Sequence, residues 1–161
     1  MEKLLDLVQN NNDLKFNLKK TKDYSLDQKI VKNILGIVAF YDNNKAMKEA
    51  LIGEINEEAV KKSTEIMALT NHYYKYLYWV KDLELTNMSP KLRMQVFSDP
   101  PEGAVNFEIY GLAVSILSGC PSCIKAHQNK LKSELSKEEF LELAKTVAIG
   151  KMLSQNIKNY S

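Results

Sequence analysis

The chain is poor in the residues that interrupt helices. Of 161 positions, six are glycine and four are proline. No segment keeps the period-two alternation of a half-buried strand between hairpin turns, so the expected fold is all-α. Cysteine is scarce too. Two residues cannot build the disulfide scaffold of a small secreted domain. No apolar run approaches the roughly 18 residues of a membrane span, which speaks against a membrane protein. Neither sign of charge dominates: 22 basic side chains stand against 20 acidic ones. That leaves no strong field for nucleic acid or an acidic membrane surface. Glu2 and Asp6 interrupt the apolar start of the chain, unlike a secretory leader. A cytoplasmic location is therefore expected, with both cysteines reduced at rest. There is no glycine-rich phosphate loop and no exposed Ser–His–acid arrangement.

Apolar residues make up 45% of the chain, enough for a core, and the length suits one domain over residues 1–161. The helical pattern divides as follows. Residues 2–9 make a short amphipathic turn, and a second short segment follows at Leu14–Leu18. Ser25-Leu26-Asp27-Gln28 reads as a capping box, opening an amphipathic helix to about Tyr41. A helix around Ala46–Leu51 closes at Gly53. A long helix runs from about Glu57 to Lys81 and ends in aromatics, Tyr73 to Trp79, a stripe suited to core or subunit contact. Ser89-Pro90 is expected to start a short helix through Phe97. Asp99–Gly103 is a loop. Residues 104–118 form a helix apolar nearly all round, broken at Gly119. Cys120-Pro121-Ser122-Cys123 opens the next helix, and Ser136-Lys137-Glu138-Glu139 caps the last, which runs to about residue 157. Ala68–Leu77 reads as a degenerate counterpart of Leu117–Ala126, with identity too low to define a repeat.

The informative set is Glu108, Cys120, Cys123 and His127, around the segment 104–135. If Cys120 caps its helix, Cys123 lies one turn on, and their Cα atoms can approach to about 5.5 Å, as a disulfide requires. His127 follows Cys123 by four residues and shares its helix face. Orphan N–H groups and the positive dipole end at a helix start favour thiolate over thiol. An imidazole alongside strengthens this when protonated, or takes the proton as a base. Glu108 sits inside an apolar run, where a carboxylate is costly unless paired. The available partner is His127, directly or through a water. The expected relay therefore runs from Glu108 through His127 to Cys123.

Other readings exist for each part. Buried cysteines are often inert, and Glu108 alone could be an interhelical salt bridge. The four side chains are also metal-ligand types, but structural zinc sites gather two separate pairs and no second pair is present; His72 lies far away in sequence. Haem attachment requires His directly after the second cysteine, where Ile124 stands. The joint arrangement points to a redox dithiol with no tightly bound cofactor and no metal.

The run Asn106-Phe107-Glu108, then Ala113-Val114-Ser115, then Gly119-Cys120-x-x-Cys123-x-x-x-His127 resembles the AhpD alkylhydroperoxidases, within the wider carboxymuconolactone decarboxylase-like group. Leu92-Arg93-Met94, Pro100 with the loop to Asn106, and the stretch Asn71–Lys75 extend the resemblance over nearly the whole chain. It implies an all-helical homotrimer or larger homo-oligomer that reduces hydrogen peroxide and organic hydroperoxides through a dithiol/disulfide cycle. It also implies an AhpC-type peroxiredoxin as partner, and a dihydrolipoamide-type dithiol on a lipoyl-bearing acyltransferase as electron donor. Better-known members carry a histidine just before the second cysteine; Ser122 stands there in this chain, so a relay through that extra imidazole cannot operate. In the favoured order Cys123 attacks the peroxide and Cys120 resolves it. The reductant is expected at Cys120, nearer the helix start, and the order of the two cysteines stays open. The alternatives are a general protein disulfide reductase, a non-peroxidase relative such as a lactone decarboxylase, and a non-enzymatic redox-sensing helical oligomer. The lactone decarboxylases usually lack the CxxC pair.

Overall fold

The computed structural model describes residues 1–161. It is all-helical: α1 (Glu2–Asp6), α2 (Asn12–Lys20), α3 (Gln28–Tyr41), α4 (Lys45–Leu51), α5 (Glu57–Val80), α6 (Leu83–Asn87), α7 (Ala104–Ser118), α8 (Pro121–Lys130) and α9 (Lys137–Asn159). Two 3₁₀ turns, Thr21–Asp23 and Gln95–Phe97, complete it, and there is no strand. No helix is long and apolar enough to cross a membrane.

Short polar side chains start most of these helices. Asn11, Asn44 and Asn56 each accept a hydrogen bond from a first-turn N–H of α2, α4 and α5. Ser136 and Glu139 form the reciprocal box expected at α9. Such caps satisfy orphan donors that would otherwise depend on water.

The cap of α3 differs from expectation. Asp27, not Ser25, is the cap, accepting from Lys29 N at 2.7 Å and Ile30 N at 3.3 Å. The Ser25 and Leu26 N–H groups instead donate to the buried Glu142 of α9, at 3.0 and 2.8 Å. Gln28 turns away to donate to the Thr21 carbonyl. A carboxylate distant in sequence thus displaced the local box.

The helix expected over Ser89–Phe97 is also absent. Lys91 adopts a left-handed backbone, φ 48°, and only Gln95–Phe97 turns. The residue before a proline is biased away from the helical region, and the left-handed Lys91 stops propagation. The helix in this region lies upstream instead. Lys81 ends α5 with φ 56°, and Asp82 caps α6 by accepting from Glu84 N and Leu85 N.

A cluster of 28 buried apolar residues forms the core. Helix α3 is its centre, packed against α4, α5, α7 and α9, while α7 lies among α3, α5, α8 and α9. One face of α5 is buried through Val60, Ser63, Met67, Thr70 and Asn71. Its aromatic end is not: Tyr76 and Trp79 are 55% and 65% exposed. Core burial of that stripe is therefore excluded in the isolated chain.

The loop before α7 is pinned from beneath. Tyr110 Oη donates to Glu102 Oε2 at 2.6 Å, and Asn33 Nδ2 donates to Tyr110 Oη at 2.6 Å. Asn33 Oδ1 accepts from Asn56 N, and Lys29 pairs with Glu102 Oε1. This network ties the loop before α7 to α3 and to the start of α5.

Candidate active site

Gly119 ends α7 in a left-handed conformation, φ 64°, with its N–H and that of Cys120 returning to α7 carbonyls. An L side chain is strained there. The turn directs Cys120 into the cap position of α8, and Pro121 takes the first helical place, where its missing N–H costs nothing.

Cys120 and Cys123 are joined as a disulfide with Cα atoms 5.3 Å apart, the oxidised form of the dithiol. The Cys120 sulfur acts as the helix cap and accepts from Cys123 N at 3.4 Å. Ser122 Oγ lies 3.6 Å from the same sulfur. The two cysteines differ in access. Cys120 is 0% exposed and Cys123 6%, and Cys123 alone of the pair lines a cavity of about 530 Å³. The expectation that Cys120 offers the more accessible sulfur is thus corrected: Cys120 is wholly enclosed at the cap of α8, and of the two only Cys123 lines the cavity.

His127 lies on α8, buried, with Nδ1 2.6 Å from Glu108 Oε2. The pair is in direct contact, with no water between. Lys130 Nζ occupies the other carboxylate oxygen at 2.7 Å. Burial opposes ionisation of Glu108, but the hydrogen bonds from His127 and Lys130 outweigh it and hold its carboxyl below the ordinary glutamate range. An ionised carboxylate only accepts, so the shared hydrogen sits on His127 Nδ1.

Gly111 makes this contact geometrically possible. A Cβ there would lie 2.5 Å from His127 Cε1, 2.9 Å from His127 Nδ1 and 2.8 Å from Met67 Cε. The imidazole rests directly on the α7 backbone, one turn after Glu108. From α5, Asn71 Nδ2 donates to Ser115 Oγ and Ser118 Oγ, both at 3.1 Å, and ties the cavity wall to the end of α7. Met67, Tyr74, Met94 and Phe97 give the cavity its apolar lining.

All four residues singled out from the sequence therefore lie together. Lys130, Gly111 and Asn71 were missed. Lys130 carried a signal, because it follows His127 by three residues on the same helix face. Gly111 carried a similar one, three residues after Glu108. Asn71 stood out only as a polar residue on a helix face and as the start of the stretch Asn71–Lys75 that shares the family resemblance. No group of three or more His, Cys, Asp or Glu side chains is placed to hold a metal ion.

Fold and site together define an all-α protein whose CxxC disulfide opens a helix beside a buried imidazole–carboxylate pair. No family model matches the chain. Among curated proteins it is 32% identical over 155 residues to the alkyl hydroperoxide reductase AhpD of Coxiella burnetii (strain RSA 493 / Nine Mile phase I), covering 89% of this chain and 88% of that protein. It is 32% identical over 106 residues to the protein of the same name in Brucella canis, covering 64% of this chain and 61% of that one. The Brucella abortus protein of that name is 31% identical over 106 residues, with the same coverage. The chain belongs to the AhpD family of alkyl hydroperoxide reductases.

Proposed function

We propose that this protein is a thiol peroxidase that reduces hydroperoxides with the Cys120–Cys123 dithiol. The observation that carries the reading is the position of Cys123, at an apolar cavity and four residues from an imidazole held on Glu108. In the reduced protein, His127 Nε2 takes the Cys123 thiol proton, and Glu108 stabilises the resulting imidazolium. The Cys123 thiolate attacks the terminal peroxide oxygen. The O–O bond breaks, the leaving alkoxide takes the proton from His127, and Cys123 becomes a sulfenic acid. The Cys120 sulfur then attacks Cys123 Sγ and expels the hydroxyl as water, closing the disulfide seen here. Sulfur carries both electrons, so the cycle needs no resident cofactor.

The apolar lining favours organic hydroperoxides over hydrogen peroxide, because a hydrocarbon substituent gains about 25 cal/mol for each Å² it buries. A dihydrolipoamide-type dithiol is the reductant in this reading, and a peroxiredoxin of the AhpC type is a further electron acceptor. The first rests on the family resemblance alone, and the AhpD name of the relatives supports the second.

Steady-state consumption of cumene hydroperoxide with dihydrolipoamide tests the proposal. Wild type turns over, while Cys123→Ser and Cys120→Ser each lose turnover by more than about a thousandfold, since neither retains the cycle. Full turnover in either variant eliminates the dithiol mechanism. A disulfide that forms once and does not turn over would identify a redox sensor instead.

A further inference from the structure

We propose that Ser122 is a catalytic hydrogen-bond donor to Cys120, making that sulfur the leaving thiolate when a dithiol attacks Cys123 to reduce the disulfide. The inference rests on the dithiol cycle above and assigns the direction of its reductive half. Three observations meet at these two sulfurs. In the disulfide, Cys120 has no S–H, so in the 3.6 Å contact with Ser122 the hydroxyl is the donor. Ser122 Oγ makes no other hydrogen bond to the protein. The same sulfur takes the Cys123 N–H as the cap of α8, so two donors and the positive end of a helix of ten residues converge on it. The Cys123 sulfur has neither donor, but of the two cysteines only Cys123 lines the cavity.

Thiol–disulfide exchange separates the two roles chemically. The attacked sulfur must be reachable in line, and the departing sulfur must hold a negative charge. Rates rise as that charge is better stabilised. Access selects Cys123 for attack, and hydrogen bonding selects Cys120 for departure. A reductant thiolate bonds to Cys123 Sγ, the Cys120–Cys123 bond breaks, and its electron pair passes to Cys120 Sγ. The second thiol of the reductant, deprotonated by solvent, then attacks its own sulfur in the mixed disulfide. That closes the cyclic oxidised reductant and releases Cys123 as thiolate. Two electrons enter the protein, and the protons lost by the reductant are available to the two cysteines. Ser122 acts in the first of these steps, where charge develops on Cys120.

The test reduces the oxidised full-length protein with dithiothreitol between pH 6 and 9, using acid quench and alkylation to count free thiols. Ser122→Ala is expected to slow reduction by about three- to tenfold and to shift the equilibrium with glutathione toward the disulfide by a similar factor. Ser122→Thr keeps the hydroxyl and should restore both values. A merely structural role would move neither rate nor equilibrium in that paired fashion. Mapping the adduct of oxidised wild type with glutathione should place the mixed disulfide on Cys123. Reduction of Ser122→Ala at the wild-type rate, or an adduct on Cys120, overturns the assignment. Neither measurement uses a hydroperoxide, so a failure of peroxidase activity and a failure of this assignment are read separately.

Discussion

Glu102, just before α7, and Glu108, within it, are held by similar partners. Each gives one carboxylate oxygen to a lysine, Lys29 or Lys130, and the other to an aromatic ring donor, Tyr110 or His127. In both, burial opposes ionisation and hydrogen bonds outweigh it, so both carboxyls lie below the ordinary glutamate range. The difference lies beyond the ring. Tyr110 is wholly buried and its hydroxyl is enclosed by Glu102 and Asn33, with burial foremost in holding its pKa up. His127 borders a cavity and stands four residues from a disulfide cysteine. A depressed carboxylate is therefore no mark of a site by itself. What separates a pinned loop from candidate chemistry is a ring at the edge of a cavity that can receive a molecule, and a redox-active neighbour.

Glutamine at each position should break the parallel most sharply. Glu108→Gln is expected to slow alkylation of the reduced thiol by iodoacetamide near neutral pH, and to lower hydroperoxide turnover by about tenfold or more. Glu102→Gln should leave both rates at wild-type values and instead cost about 1–3 kcal/mol in urea unfolding, because Lys29 and Tyr110 keep only a neutral acceptor. Equal losses of reactivity in the two variants would remove the distinction.

Gly111→Ala is expected to act next most strongly. The added methyl cannot coexist with the imidazole as placed, so the ring must swing off Glu108 or α8 must retreat from α7. A destabilisation of about 1–3 kcal/mol is expected, with alkylation slowed toward the Glu108→Gln rate. Unchanged alkylation would mean that the ring has room to shift and keep its carboxylate.

The smallest effect is shared by both pairs. A carboxyl whose folded pKa is depressed contributes stability that is fully present above its unfolded value, near 4.3. That stability is lost as pH falls through the lower folded value. Urea midpoints should therefore decline below about pH 4.5, and each glutamine variant should decline less steeply than wild type. A variant with an undiminished acid decline would show that its carboxylate is not among the groups responsible.

Much of the site's local geometry could be read from the sequence, because short spacings carry it. Gly119 and Pro121 punctuate the α7–α8 junction, Ser136 and Glu139 cap α9, and the stretch from Glu108 to His127 reads as two helices folded back on one turn. Reading failed where a distant group competed with a local pattern. Glu142, on the last helix, took the N–H groups of Ser25 and Leu26 and moved the α3 cap to Asp27. Around Pro90 the helical signal was real in composition, but the left-handed Lys91 cancelled it. The exposed aromatic end of α5 shows the same limit, since periodicity marks an apolar stripe without saying what lies opposite.

The sequence by itself determined the all-helical fold and the grouping of Cys120, Cys123 and His127 within about two turns of helix. Contacts three and four residues apart follow from the helical repeat alone. The tertiary structure decided that His127 meets Glu108 directly, that Lys130 shares that carboxylate, and that Cys123 rather than Cys120 lines the cavity. These depend on the distance between α7 and α8 and on the wall supplied by α5. Such distances are set by packing around residues like Gly111 and Met67, and no local spacing encodes them.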